Sequence, residues 1–247
     1  MALMIHWRAC VLLFVLGMFS IDSGSAMAGD FAERRIIGFS PSGRHFAFEQ
    51  FGVQDGSGFP YSEIFVINLK TDTWVSGTPV RVRIKKERAT LYQARSRARK
   101  KVSKLLRKLK IRRPGRLLAS APVTEVGANP HELGFRPYGF QTSSEDVRTV
   151  LIDVFDLPGA SHCSSFGPTS KGFALSLRQD GKGDIAEIYR DISLPKSRGC
   201  TQDYAISDIV MFPEFDKAKA MVALVSIFTH GFEGADRRFI AVKLPLP

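Results

Sequence analysis

Outside its N-terminal segment this sequence has no apolar run long enough to cross a bilayer, for which a helix needs about 20 residues. Cysteine is scarce, with Cys10, Cys163 and Cys200 the three present, so at most one internal disulfide can form once a leader carrying Cys10 is removed. Histidine is also scarce, and its five copies are scattered over positions 6, 45, 131, 162 and 230. His131-Glu132 opens like a zinc-binding helix, but Phe135 stands where the second histidine belongs, and Pro130 and Gly134 disfavour a helix. No Gly-x-Ser-x-Gly elbow and no glycine-rich phosphate loop with its lysine occurs. Asp180 and Asp184 flank glycines, yet the further oxygen ligands of a calcium loop are missing and Asp-Gly is first of all turn chemistry. These absences remove the motif-bearing hydrolases and nucleotide enzymes, and the sequence implies no cofactor and no metal.

What is present begins with an address label. Arg8 supplies a positive start, Ala9 to Phe19 is an apolar run of 11 residues, and Ala26-Met27-Ala28 offers the small residues that a signal peptidase reads. Residues 1–28 are expected to be a signal peptide cleaved after Ala28, leaving a secreted or periplasmic chain of residues 29–247; an uncleaved anchor is the alternative. Trp7-Arg8-Ala9 before Cys10 lacks the pattern of a lipid-modified cysteine. In an oxidising compartment Cys163 and Cys200 read as a disulfide, with two buried thiols as the alternative.

Acid is nearly missing from one segment. Between Arg81 and Arg116 there are 17 Lys and Arg against the single Glu87. That segment carries +16 while the whole chain carries +11, so the remainder sums to −5 and the basic character belongs to one element. Leu91, Ala94, Ala98, Val102, Leu105 and Leu109 recur at spacings of three and four, the signature of one helical stripe, and Pro114-Gly115 ends the run. A basic amphipathic helix is therefore expected as an insertion at about 85–113, with Arg95, Arg97, Lys100, Lys101, Lys104, Arg107 and Lys108 as candidate binding residues. Three readings compete: a solvated structural face, a surface for an anionic membrane, a polyanionic glycan or another envelope protein, and a nucleic-acid surface. Tyr92 is the one aromatic residue there to stack a base, and export argues against that compartment, so nucleic acid is the weakest of the three.

The rest of the pattern is β. Ile36-Ile37-Gly38-Phe39 and His45-Phe46-Ala47-Phe48 flank the turn Ser40-Pro41-Ser42-Gly43, and Glu63 to Leu69 follows after a glycine-rich loop. Residues 117–139 are dense in Pro and Gly and read as loops with short strands, and Val147 to Phe155 reads as a strand buried on both sides. Gly172 to Leu177 and Ile185 to Arg190 flank an Asp-Gly turn. Ile209 to Phe212, Met221 to Phe228 and Phe239 to Leu244 repeat the opening layout, which points to blade-like repeats. The fold expected is mainly β, a single β-rich domain of propeller-like meanders, either a partial propeller or a β-sandwich, with one long amphipathic helix inserted.

One loop carries candidate reactive groups. Gly231-Phe232-Glu233-Gly234-Ala235-Asp236-Arg237-Arg238-Phe239 follows His230, and Glu233, Asp236 and His230 are the catalytic candidates of the chain. The alternative is a hairpin with surface ion pairs and an arginine braced against a neighbouring unit. The function expected is a non-catalytic binding or interaction module whose helix meets anionic partners, and the alternative is a hydrolase acting on envelope or extracellular glycans or peptides.

Gly38 to Arg44, Phe46-Ala47-Phe48 and Ile64 to Leu69 resemble one blade of the WD40-like repeats of periplasmic translocation proteins. Over nearly the whole mature length, through Ile37-Gly38-Phe39-Ser40, the Ala89 to Leu109 helix and Gly231 to Phe239, the chain resembles a family of bacterial predicted secreted proteins, domain of unknown function 2259. That resemblance implies export and a β-rich fold, and implies no known activity.

Overall fold

The computed structural model describes residues 29–158, 161–179, 183–213 and 217–247. The leader read at residues 1–28 and Asp180 of the acidic turn lie outside the described residues.

Three antiparallel sheets follow one another along the chain. The first contains β1 (Glu33–Phe39), β2 (His45–Val53), β3 (Pro60–Asn68) and the short β4 (Thr73–Trp74) in that order, with β5 (Val80–Arg83) also paired to β3. The single α-helix among the described residues, α1 (Leu91–Lys108), comes next. Then follow β6 (Arg116–Ser120), β7 (Glu132–Phe135), β8 (Arg148–Pro158), β9 (Thr169–Gln179), β10 (Ile185–Arg190), β11 (Thr201–Phe212), β12 (Ala220–His230) and β13 (Ala235–Leu244). The middle sheet runs β10-β9-β8-β7, and the last runs β13-β12-β11-β6, so β6 joins a sheet whose other strands begin only at Thr201. None of the sheets closes on itself.

Side-chain alternation explains how they stack. Along β12, Met221, Ala223, Val225 and Ile227 face a core shared with Val150, Ile152, Phe173 and Leu175 of the middle sheet. The intervening Ala220, Val222 and Leu224 face a second core with Phe46, Phe48 and Phe65 of the first sheet. Successive residues of a strand point to opposite faces, so a strand apolar at both parities must be covered on both sides. The first sheet is likewise covered twice: opposite the second core, Ala47, Ile64, Val66 and Val82 pack under Ala94, Ala98 and Val102 of α1. The layers run helix, first sheet, last sheet, middle sheet.

The middle sheet is outermost, and this corrects one expectation. Val150 and Ile152 of β8 are buried, but Leu151 and Phe155 are only half-buried and Asp153 is exposed, because among the described residues that face is covered only at its Leu157 end, by Cys163, Leu194 and Cys200. The short strands expected between residues 117 and 139 are β6 and β7.

Two cross-links fix the stacking, one polar and one covalent. Ser207 is the extra residue of a bulge in β11, and the neighbouring Asp208, buried, accepts from Arg34 Nε and Nη2 at 2.6 Å each, from Ser120 Oγ at 2.8 Å and from Ser207 Oγ at 2.9 Å. A buried carboxylate needs such a set, and here it ties the first sheet to the last. Cys163, in the 3₁₀ turn Ser161–Phe166, is disulfide-bonded to Cys200 just before β11, with a Cα–Cα distance of 5.5 Å. The disulfide read from the sequence is therefore present.

Candidate functional site

Helix α1 starts at a capping box. Thr90 Oγ1 accepts from the Gln93 N–H at 3.3 Å and Gln93 Oε1 from the Thr90 N–H at 3.0 Å, so two of the otherwise orphaned first-turn donors are satisfied. Arg107 and Lys108 in the last turn meet the negative end of the helix dipole. The helix is held down by more than its apolar stripe. Glu49 of β2 is 0% exposed, and it accepts from Arg95 Nε at 3.0 Å, Arg95 Nη2 at 3.0 Å, Arg99 Nη2 at 2.9 Å and Ser62 Oγ at 3.0 Å. Burial alone would raise the Glu49 carboxyl, but hydrogen bonds and charge from Arg95 and Arg99 outweigh it and hold it below the usual range. The Arg95 guanidinium also lies 3.5 Å over the Phe51 ring.

Of the seven candidate binding residues, Arg95 is thus engaged inside the protein. Arg97, Lys100, Lys101, Lys104, Arg107 and Lys108 are exposed, and none has a carboxylate within ion-pair distance among the described residues. Strand β5 adds cations that the helical stripe did not reveal. Arg81 and Arg83 line one groove with Arg97, Lys100 and Lys101. Arg81 is shared with Glu63 at 3.2 Å, and Arg83 Nη1 donates to Gln54 Oε1 at 2.9 Å. Among the described residues no acidic side chain lines the groove. A concave surface with one sign of charge concentrates counter-ions.

The catalytic candidates near the β12–β13 turn do not assemble. Thr229 pairs with Asp236 and His230 with Ala235, so the pleat sends the His230 and Asp236 side chains to opposite faces of the hairpin. His230 Nδ1 lies 2.9 Å from Gln202 Nε2 and its ring stacks on Phe166 at 4.4 Å. Glu233 is exposed at the turn. Asp236 Oδ1 accepts from the Asp30 N–H at 3.0 Å, and burial raises its carboxyl against the opposing pull of that N–H and of Arg238. Arg238 Nη2 reaches Asp30 Oδ2 at 2.6 Å, and Tyr61 donates its hydroxyl to Asp30 Oδ1 at 2.7 Å. Asp236 and Arg238 therefore bind Asp30 to β13, through an ion pair whose carboxylate is buried.

His162, Cys163 and Cys200 offer ligand atoms within 4.8 Å of one another, but the two sulfurs are bonded to each other and present no thiolate. No described helix is long and apolar enough to cross a membrane.

Residues 47–244 match the family described as predicted secreted protein (DUF2259). The chain belongs to this family. No curated protein and no solved structure matches it. The match runs from within β2 to the end of β13, so the DUF2259 region contains Glu49, α1, the disulfide and Arg238, while Asp30, the carboxylate that Arg238 pairs with, precedes it.

Proposed function

We propose that this DUF2259 protein is a non-catalytic binding module of the cell envelope or its exterior, exported by a leader ending near Ala28, with residues 29–247 as one β-rich domain. Its binding face is the exposed side of α1 with β5, and its partner is anionic: an anionic membrane surface, a polyanionic glycan, or an acidic patch on another envelope protein. One observation carries this reading. The chain spends Arg95 and Arg99 on a buried carboxylate to hold the helix, yet among the described residues no acid lies within ion-pair distance of Arg97, Lys100, Lys101, Lys104, Arg107 or Lys108. Charge repulsion across such a face is a standing cost that a bound anion removes.

The test is retention of residues 29–247 on heparin and on liposomes with and without anionic lipid, over a salt series. Each cation near an anionic surface contributes about 1 kcal/mol. Reversing Arg97, Lys100, Lys104 and Lys108 to Glu should abolish retention at about 0.15 M salt, where the screening length is about 8 Å. An elution position unchanged by the four reversals would overturn the proposal.

A further inference from the structure

The last sheet ends on β13, and the outer edge of that strand opens into a cleft of about 420 Å³. The register of β13 on β12 runs unbroken from Ala235 to Leu244, so the direction of its backbone groups alternates strictly. Phe239 donates its N–H away from β12, to Gln50 Oε1 at 2.9 Å. Arg237 does likewise, giving its N–H to the Asp30 carbonyl at 3.0 Å and accepting from the Ala32 N–H at 3.1 Å. By the same alternation the N–H and C=O of Ala241 and Lys243 point outward with those of Arg237 and Phe239. The groups of Ala241 and Lys243 and the Phe239 carbonyl have no protein partner among the described residues. Ala241 is only 7% exposed, so part of this unpaired edge lies in a recess and not on open surface. Backbone groups placed so are costly to leave dry.

The other sides of the cleft have the character of side-chain pockets. Phe65 and Ile67 present the inner face of the first sheet where the last sheet stops short. Trp74, 46% exposed, stands edge-on to Phe65 at 6.0 Å, with the Arg81 guanidinium 5.7 Å from its ring centre. Pro195 and Ser197, after β10, close the far side.

We propose that this cleft takes an extended peptide segment of a partner protein as an added strand on β13. Paired N–H and C=O groups recurring at about 6.8 Å along an edge are the complement of an extended polypeptide and of few other ligands. The free stretch from Phe239 to Lys243 accommodates about three to five peptide residues, and alternate side chains fall on the apolar wall. The segment therefore carries an aromatic or aliphatic residue over Phe65 and Trp74. This inference stands apart from the basic helix.

The experiment pans a random-sequence phage-displayed peptide library on residues 29–247, synthesises the enriched peptides, and measures their affinity for the parent, for Ala241→Pro and for Trp74→Ala. Proline removes the outward N–H that only a ligand would use and is tolerated on an edge strand. The expected result is a loss of at least about tenfold in affinity for each variant, the scale of one or two hydrogen bonds or one aromatic contact. If Ala241→Pro does not fold, amide exchange in the parent decides, since peptide must slow the Ala241 and Lys243 amides. Four results overturn the proposal: no enrichment above bare resin; affinity equal for parent and variants; a saccharide probe such as chitotetraose that quenches Trp74 while no peptide slows those amides; or a dimer of the free chain that Ala241→Pro abolishes, which would make the occupant a second copy.

Discussion

Replacing Glu49 by Ala strands two guanidinium groups above a sheet that is apolar on that side. Cutting a buried ion pair from one side costs about 3–5 kcal/mol when the orphaned charge must stay buried. Here Arg95 is 23% exposed and Arg99 45% exposed, so both can turn toward water and the loss is discounted to about 2–3 kcal/mol. For a domain of this size that is a fall in Tm of about 4–12 °C, read by far-UV circular dichroism on residues 29–247. Arg99→Ala alone, which leaves Glu49 its two Arg95 bonds, should cost under about 1 kcal/mol. The pH dependence has a definite sign. Because the folded pKa of Glu49 is depressed, its contribution is fully present above the ordinary carboxylate pKa of about 4.3 and is lost as pH falls through the folded value. The gap between parent and Glu49→Ala should therefore narrow on acidification below about pH 4. The variant also frees two cations on the helix, so its retention on heparin should rise while its stability falls. A melting point within about 1 °C of the parent at neutral pH, or a gap that widens in acid, would refute the reasoning.

Two further perturbations test the frame. Cys163→Ser with Cys200→Ser opens a closed segment spanning a sequence separation of 37 residues, which on chain entropy should lower unfolding free energy by about 3–4 kcal/mol in urea titration; a loss below about 1 kcal/mol would show that the sheets fix that segment unaided. Gly38 sits at φ +139°, where an added Cβ would lie 2.5 Å from the Arg113 carbonyl oxygen, whereas at Gly56, φ +70°, it would meet only the Phe232 ring at 3.7 Å. Gly38→Ala should cost about 2–4 kcal/mol and Gly56→Ala about 1, and equal urea midpoints for the two would sink the argument.

Much of the architecture was legible because strands and helix wrote their periods plainly. The opening strands, the Gly172 to Arg190 hairpin, the C-terminal repeat of the opening layout and the stripe from Leu91 to Leu109 all occupy the elements their patterns suggest. The cysteine pair was legible for a chemical reason, since export leaves two thiols one obvious fate. The buried carboxylate was not. Glu49-Gln50 looks like the polar side of a strand, and nothing local says that a helix 46 residues away will lie over it. The loop geometry was hidden for the opposite reason: Glu233, Asp236 and His230 are close in sequence, but a hairpin divides neighbours between two faces, and the register sends His230 and Asp236 apart. The β13 cleft belongs to several sheets at once and leaves no trace in any single segment. Strand β8 reads as doubly apolar, and only the order of layers reveals which of its faces stays wet.

The two-faced strand β12 has a consequence for how this chain avoids misalignment. Sliding it by one position would exchange Met221, Ala223 and Val225 for Ala220, Val222 and Leu224, trading one oily set for another of similar polarity. In most half-exposed sheets such an error is rejected because it drags charge into oil. Here hydrophobicity is blind to it, and rejection falls to shape and to the few polar anchors. Asp208 of β11, whose oxygens fit Arg34 of β1 and Ser120 of β6 in one alignment, acts as a locating pin for the strand against which β12 must register. Its loss would therefore be felt less as a weaker fold than as a less singular one.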